Sequence, residues 1–475
     1  MTTTPWTLVA DSALYEQLLA HLFPGDGDEH GAVITAGLAA STRGFRLLTR
    51  ELWLAEDGVD YISGKRGYRR LSPEFVNRAI RHCRDEGLCY LAVHNHGGQN
   101  QVEFSDDDRR SHERGYPALL DIARGQPVGA LVLAHNALAG DIWTSDRARR
   151  PIAETSVIGR RIERIYPIPA PLPPGADHTY DRQARLFGDR GQHLLGRLKV
   201  GVIGCGGVGM MLVMLLARVG VGELVVIDPE RIDPTNLPRL PDATRLDAML
   251  PLRRLGLRAL AESLATPKVR RARSIGRRAN PHLSFQAIRG NVIDREVASA
   301  LLDCDFLFLA ADSHQARRVF NAIIHQYLIP GIQAGTKIPV DPDTGQVGDI
   351  HSNVRLVLPQ RGCLRCNQLI SPARLQNESL AEQERDAQRY IEEVPAPSVI
   401  TFNALTAAQA TNDFLLMMTG LTHDHATTAY LRFQPRKRAL TAVSPRRDTN
   451  CRDCGKATRS RRARGDTRSL PLRES

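Results

Sequence analysis

The sequence predicts an α/β protein of two domains in series, the second built on a parallel-rich sheet. Three observations predict it. The chain has 475 residues, 42% of them hydrophobic, which is too long for one core and apolar enough for two or three. The stretch Tyr166-Pro-Ile-Pro-Ala-Pro-Leu-Pro-Pro174 fixes φ and removes backbone donors, so it reads as a spacer. The apolar run 200–203 leads into Gly204-x-Gly206-x-x-Gly209 and then an apolar-periodic helix over 208–219, the pattern of a βαβ phosphate loop. The expected division is a first domain over 1–150, a linker over 151–178, a second domain over 179–455, and a basic, disordered tail over 456–475.

In the first domain, Asp11 caps a helix running to residue 22, and strands follow over 31–36 and 44–54. Ser72-Pro73 opens a second helix that ends near Gly87, with serine as cap and proline at the first helical position. The apolar run 88–93 reads as a buried strand that delivers His94-Asn-His96, and alternation puts both imidazoles on one side. Phe104-Ser105-Asp-Asp-Asp108 then starts another helix. Residues 151–165 read as a short helix before the proline stretch.

Two histidines and a carboxylate suit zinc with one position left open. An upstream Glu, His-x-His and Ser-x-x-Asp together resemble the JAMM/MPN metallopeptidase family. The resemblance implies that His94, His96 and Asp108 are ligands of a catalytic zinc. Glu29 would be the general base toward the attacking water, and Ser105 would help stabilise the oxyanion. The sequence departs from the family in having Gly97 after the second histidine and one extra residue before Phe104. The Ser-x-x-Asp spacing favours Asp108 over Asp107, and Asp26 and Asp28 lie close to Glu29.

In the second domain, Gly204 permits the tight turn, Gly206 lets backbone approach a phosphate, Gly207 lies in the same loop, and Gly209 lets helix pack on strand. A strand over 223–227 ends in Asp228, nineteen residues past Gly209, where an acid can bind a ribose hydroxyl. Around this unit stand Tyr180-Asp-Arg-Gln-Ala-Arg-Leu-Phe-Gly188, Gly191-Gln192, Asn236-Leu-Pro-Arg239, Lys268, Asp312 and two Cys-x-x-Cys pairs. Over roughly 180–454 this pattern resembles the ThiF/MoeB-type superfamily of ubiquitin-activating-enzyme-like adenylyltransferases. The resemblance implies ATP with Mg²⁺, phosphates held by Asn236, Arg239 and Lys268, and an Asp312 that organises Mg²⁺ or the attacking carboxylate. It also implies a homodimer in which Arg182 reaches into the neighbouring protomer's site.

Cys363-x-x-Cys366 and Cys451-x-x-Cys454 form a four-thiolate set with no open position, a structural Zn²⁺ site. No cysteine lies between Asn367 and Asn450. The remaining thiols, Cys83, Cys89, Cys205 and Cys304, read as buried and inert. The reaction is therefore expected to stop at an acyl-adenylate, or to pass it to a sulfur donor or an external thiol.

The net charge of +11 is local to Arg-rich stretches over 268–278 and 435–473. With aromatics at 5% and no nucleic-acid-binding motif, solvated basic faces are expected rather than a specific nucleic-acid partner. No run of about 18 apolar residues occurs, no secretory signal opens the chain, and the cysteine pattern fits a cytoplasmic protein. The two resemblances together imply adenylation of the C-terminal Gly of a ubiquitin-like or sulfur-carrier β-grasp protein. Zinc-dependent processing or deconjugation of that protein would accompany it. The alternatives are a nicotinamide-dependent oxidoreductase and a scaffold with degenerate sites.

Overall fold

The computed structural model describes residues 4–62, 69–341, 343–359, 361–384 and 397–473. Their contacts fall into two units. One comprises Met1–Leu172, Gln326–Leu328 and Arg461–Ser469; the other comprises Pro173–His325, Ile329–Ser460 and Leu470–Ser475.

The first unit runs β1 (Trp6–Asp11), α1 (Ser12–Leu22), β2 (Gly31–Ser41), β3 (Gly44–Leu54), and a small ribbon of β4 (Tyr61–Ile62) with β5 (Arg70–Leu71). It continues with α2 (Pro73–Glu86), β6 (Cys89–Asn95), α3 (Asp106–Ile122), β7 (Val128–Leu133), β8 (Leu138–Trp143), β9 (Arg149–Ile158) and β10 (Ile162–Ile165). The main sheet has the order β1-β3-β2-β6-β7-β8-β9-β10, and β1 also pairs with β9, so the sheet closes on itself. Alternation splits the core in two. Ile34, Leu91, Val93, Leu131 and Leu133 pack with Leu18 and Leu22 of α1. Val33, Tyr90, Val128 and Val132 pack with Phe75 and Ile80 of α2 and with Tyr116 and Leu120 of α3. Both faces of β6 are thus covered, which is why its sequence is a continuous apolar run. The expected caps form: Leu14 N–H donates to Asp11, Phe75 N–H donates to Ser72, and Gly87 ends α2 with φ +65°.

Two expectations fail here. Residues 151–165 are not a helix but most of β9 and all of β10, so a boundary at 150 cuts through a strand. Ile152, Thr155 and Val157 are buried β-branched residues, and β-branched side chains favour a sheet. β9 lies parallel to β1 from Trp6↔Ile152 to Asp11↔Ile158. The basic tail is ordered: Ser460, Arg462 and Ala463 are buried, and Gly465 bridges Leu38. Ala463 O lies 2.1 Å from where a Cβ on Gly37 would be. Its arginines find fixed partners rather than water. Arg462 and the fully buried Arg50 each donate to the other's main-chain carbonyl, and Arg464 pairs with Glu86. Composition alone reads such a segment as solvated; main-chain acceptors inside the fold reverse that.

The second unit contains α4 (Asp181–Arg197), β11 (Lys199–Ile203), α5 (Gly207–Arg218), β12 (Glu223–Ile227), α6 (Leu250–Arg254), α7 (Arg258–Leu264), α8 (Lys268–Ala279) and β13 (Ser284–Ile288). It continues with α9 (Arg295–Ser299), β14 (Phe306–Leu309), α10 (His314–Tyr327), β15 (Gly331–Lys337), β16 (His351–Val357), α11 (Pro372–Glu384), α12 (Ile400–Met418), β17 (Tyr430–Gln434) and β18 (Ala439–Val443). Sheet order is β13-β12-β11-β14-β15-β16-β17-β18. The first five strands are parallel and the last three join antiparallel. Strand order reverses between β11 and β14, the point at which open α/β sheets bind ligands at their carboxyl ends. Among the described residues, no helix is long and apolar enough to cross a membrane.

Candidate functional site

In the first unit, β6 places His94 and His96 on the face covered by α3, and the first turn of α3 brings Asp108 to them. His94 Nε2 and His96 Nε2 lie 3.2 Å apart. Asp108 lies 3.5 Å from His94 Nε2 and 3.3 Å from His96 Nε2. Ligand atoms about 2.05 Å from a tetrahedral zinc are about 3.3 Å apart, so this donor set fits the ion. His96 Nδ1 faces Glu103 O at 3.1 Å, leaving Nε2 as the free ligand atom. Asp107 instead turns to Arg110, because successive residues on a helix face different sides. Glu29 Oε1 lies 3.9 Å from His96 Nε2, whereas Asp26 pairs with His30 and Asp28 with Arg69. Ser105 caps α3: its Oγ accepts from Asp108 N at 3.1 Å and donates to Asp108 Oδ2 at 2.6 Å. Its hydroxyl is thus committed to the carboxylate of Asp108.

Charge settles accordingly. Burial pushes the Glu29 carboxyl above its ordinary range, outweighing the two histidines. Burial also opposes ionisation of Asp108, but hydrogen bonds from His94, His96 and Ser105 hold it well below the usual carboxylate range. The Asp108 hydrogen bond raises His96.

The four cysteines of the second unit converge in a buried cluster. Cys363 Sγ lies 3.5 Å from Cys366 Sγ and 3.7 Å from Cys451 Sγ, and Cys366 Sγ lies 3.5 Å from Cys454 Sγ. Thiolates about 2.3 Å from a tetrahedral zinc are about 3.8 Å apart, so this set also fits. Asp453 anchors the surroundings through Arg365 at 2.7 Å and Asn321 at 3.0 Å. The other thiols, Cys83, Cys89, Cys205 and Cys304, are buried. Burial pushes Cys83 up to about 12 and raises the other three thiols as well, so none is a ready nucleophile.

The crevice of the second sheet gathers most of its sequence candidates. Gly204 has φ +93°, and a Cβ there would lie 2.7 Å from Ala311 N. The loop after β11 therefore abuts the segment after β14 that carries Asp312. A Cβ on Gly209 would lie 1.9 Å from Gly204 O, and one on Gly207 would lie 2.1 Å from Asn403 Nδ2. A Cβ on Gly206, the residue before α5, would meet open space, which is where a phosphate can approach free N–H groups. Asp228 is buried and accepts from Cys205 N at 2.6 Å and from Glu230 N at 2.8 Å. Burial raises its carboxyl while Lys268 opposes the rise.

Lys268, at the start of α8, is buried and pairs with Glu230. Asn236 is buried, and its Oδ1 accepts from Asp233 N at 3.2 Å. Arg239 is half-buried, and its Nε has no partner among the described residues. Asp312 is exposed and is not the cap of α10. Ser313 Oγ accepts from Ala316 N, and Glu378 accepts from His314 N and Gln315 N. Arg182 is exposed on α4 and makes no ion pair or hydrogen bond with these groups among the described residues.

Sequence reasoning missed Glu230 and Asn403. A buried lysine needs an acid, and Glu230 lies two residues past Asp228. Asn403 is a polar residue on the buried side of the apolar helix α12.

Comparison with known proteins agrees with this crevice. A curated relative, the SAMP-activating enzyme E1 of Haloferax volcanii, is 26% identical over 179 residues, 38% of this chain and 56% of that protein. The molybdopterin-synthase adenylyltransferase of Escherichia coli is 29% identical over 145 residues, 30% of this chain and 52% of that protein. The chain thus spans about half the length of the curated relatives it matches. A crystal structure of E. coli MccB with succinimide covers 59% of this chain and 75% of its own, at 18% identity and a TM-score of 0.43, too low to carry an argument. The ThiF family model matches residues 180–453. That match spans more than half of the chain and contains the crevice and three of the four clustered cysteines, Cys363, Cys366 and Cys451, and so the chain belongs to the ThiF family.

Proposed function

We propose that the chain adenylates the C-terminal Gly of a ubiquitin-like or sulfur-carrier β-grasp protein with ATP and Mg²⁺, and that its N-terminal unit is a JAMM/MPN-type zinc isopeptidase acting on the same partner. The observation that carries the reading is the presence in one chain of a ThiF crevice and of a separate zinc-spaced cluster beside a carboxylate. Relatives named for SAMP activation and for adenylylation of molybdopterin synthase support the choice of partner class.

In adenylation, a carboxylate oxygen attacks the α-phosphorus of ATP. An acyl C–O–P linkage forms, the bond to the β-phosphate breaks, and pyrophosphate leaves with the electron pair. The protein contributes position and charge neutralisation. The 204–209 loop holds phosphate against N–H groups at the start of α5, and Asp228 holds the ribose. Lys268, Arg239 and Asn236 steady the phosphates, the lysine turning from Glu230 to do so. Exposed Asp312 would hold Mg²⁺, which would neutralise phosphate charge, and a second copy of the chain brings Arg182. With no cysteine between the zinc pairs and the other thiols buried, the acyl-adenylate is the product or passes to an outside sulfur.

In the first unit, His94, His96 and Asp108 would hold a zinc ion, which would supply Lewis acidity. Glu29 takes a proton from the attacking water and returns it to the leaving amine as the C–N bond breaks. Its raised carboxyl supports that role. A zinc on Cys363, Cys366, Cys451 and Cys454 is structural.

The test is ATP–pyrophosphate exchange with β-grasp proteins ending in Gly-Gly. Partner-dependent exchange that falls about 10²-fold or more in Asp312→Ala is expected. No exchange with any partner, together with NAD(H) binding, would overturn the reading in favour of an oxidoreductase.

A further inference from the structure

We infer that Asn95, the residue between the two histidines, is a positioning residue for Glu29. It fastens the main chain on both sides of that carboxylate to the strand that carries His94. The inference rests on the peptidase reading of this unit.

The ladder between β2 and β6 ends at Gly31↔His94. The register would next set His30 against Asn95, one step past the last ladder pair. At that step the side chain of Asn95 replaces the main-chain pairing. His30 N–H donates to Asn95 Oδ1 at 2.6 Å, and Asn95 Nδ2 donates to Asp28 O at 3.3 Å. The two bonds bracket Glu29. Asn95 is 7% exposed, so water competes little for either end of its amide.

The segment needs such a tie. Glu29 follows a turn in which Gly25 has φ +95° and Gly27 has φ +77°, and glycine, with no Cβ, leaves the backbone there many alternative conformations. The pairs Asp26–His30 and Asp28–Arg69 hold side chains of this turn, and Asp28 N–H donates back to Asp26 within it. The Asn95 bonds instead tie its main chain at residues 28 and 30 to β6. Base and ligand are thereby fixed to one rigid strand, with Glu29 Oε1 3.9 Å from His96 Nε2. The chemistry is specific to an amide, since one side chain must accept from an N–H and donate to a C=O. An aspartate could serve His30 but would set an oxygen against Asp28 O.

The test uses the full chain loaded with zinc and a β-grasp protein extended past its C-terminal Gly-Gly. Asn95→Ala is expected to lower kcat by about 10- to 100-fold, the cost of a misplaced catalytic group. KM and zinc content should stay unchanged, and hydrogen exchange at the His30 amide should quicken. Asn95→Asp should fall between Asn95→Ala and wild type. Because Asn95 acts through Glu29, adding Asn95→Ala to Glu29→Gln should cost nothing further. Wild-type kcat in Asn95→Ala, an equal further loss in the Glu29→Gln background, or a loss that tracks lost zinc would each overturn the inference. A zinc-loaded wild type that cleaves nothing would overturn the peptidase reading itself. In that case His30 exchange still decides the tie, and unchanged exchange in Asn95→Ala refutes it.

Discussion

The two metal-spaced clusters of this chain differ in donor type, burial and completeness. The cysteine cluster joins residues 88 positions apart, its four sulfurs are mostly buried, and every ligand position is filled by protein. The His94–His96–Asp108 cluster offers three ligand atoms, each side chain is 14–21% exposed, and a carboxylate lies beside it. A closed thiolate set contributes folding energy, whereas an open nitrogen and oxygen set leaves a coordination position for chemistry. The donor type and the missing fourth ligand carry the distinction, since both sets have spacings that suit zinc.

The largest expected effect tests the closed site. Structural zinc contributes about 10–16 kcal/mol of apparent binding energy in small domains. Cys454→Ser should therefore lower zinc from two per chain to one and unfold the end of the second unit, read by metal analysis and thermal denaturation. Two zinc ions and an unchanged Tm in that variant would show that the cluster does not hold the fold.

The open site should respond differently. His94→Ala should also remove one zinc, but with little change in Tm or in ATP–pyrophosphate exchange. Cleavage of an extended β-grasp protein should fall by about 10³-fold, in line with several kcal/mol of Lewis-acid stabilisation. If exchange falls in parallel with cleavage, the two sites do not act independently.

The smallest expected effect is a difference in acid response between the two units. His112 is buried between Phe104 and Tyr116, and burial lowers it from 6.5 to about 4. Its contribution is complete above about pH 6.5 and is lost as pH falls toward about 4, so the first unit weakens on acidification. Asp413 on α12 is raised by burial to about 6. Its contribution is complete below its unfolded value and is lost as pH rises through about 6, so the second unit weakens on neutralisation. After allowance for partial exposure and screening, each is worth about 1–2 kcal/mol. Unfolding followed separately in the two units from pH 4 to 7 should show opposite slopes, flattened by His112→Phe and Asp413→Asn respectively. Slopes of the same sign would refute the assignment.

Much of this was legible in the sequence because it depended on short-range chemistry. In the 204–209 turn Gly204 takes a φ, and Gly209 an approach, that only glycine tolerates, so glycines at fixed spacing announce it. Cys-x-x-Cys is equally local, and helix caps such as Asp11 and Ser72 act over three residues. Helix 208–219 is legible from its apolar periodicity. Where the reading failed, the deciding contacts were distant. Residues 151–165 became strands because β1, some 145 positions earlier, offered an edge. The stretch 461–469 is ordered because Arg50, Glu86 and the carbonyls of the first unit accept its arginines.

The sequence by itself therefore determined the phosphate loop, the two cysteine pairs, the caps and the histidine pair, since each is set by residues within a few positions of one another. Tertiary structure alone decided two things: that Lys268 rests on Glu230, and that Asn95 brackets Glu29. In each case a buried polar group takes whichever partner the fold brings within hydrogen-bonding reach. That partner can lie far away in the chain, where local pattern carries no trace of it.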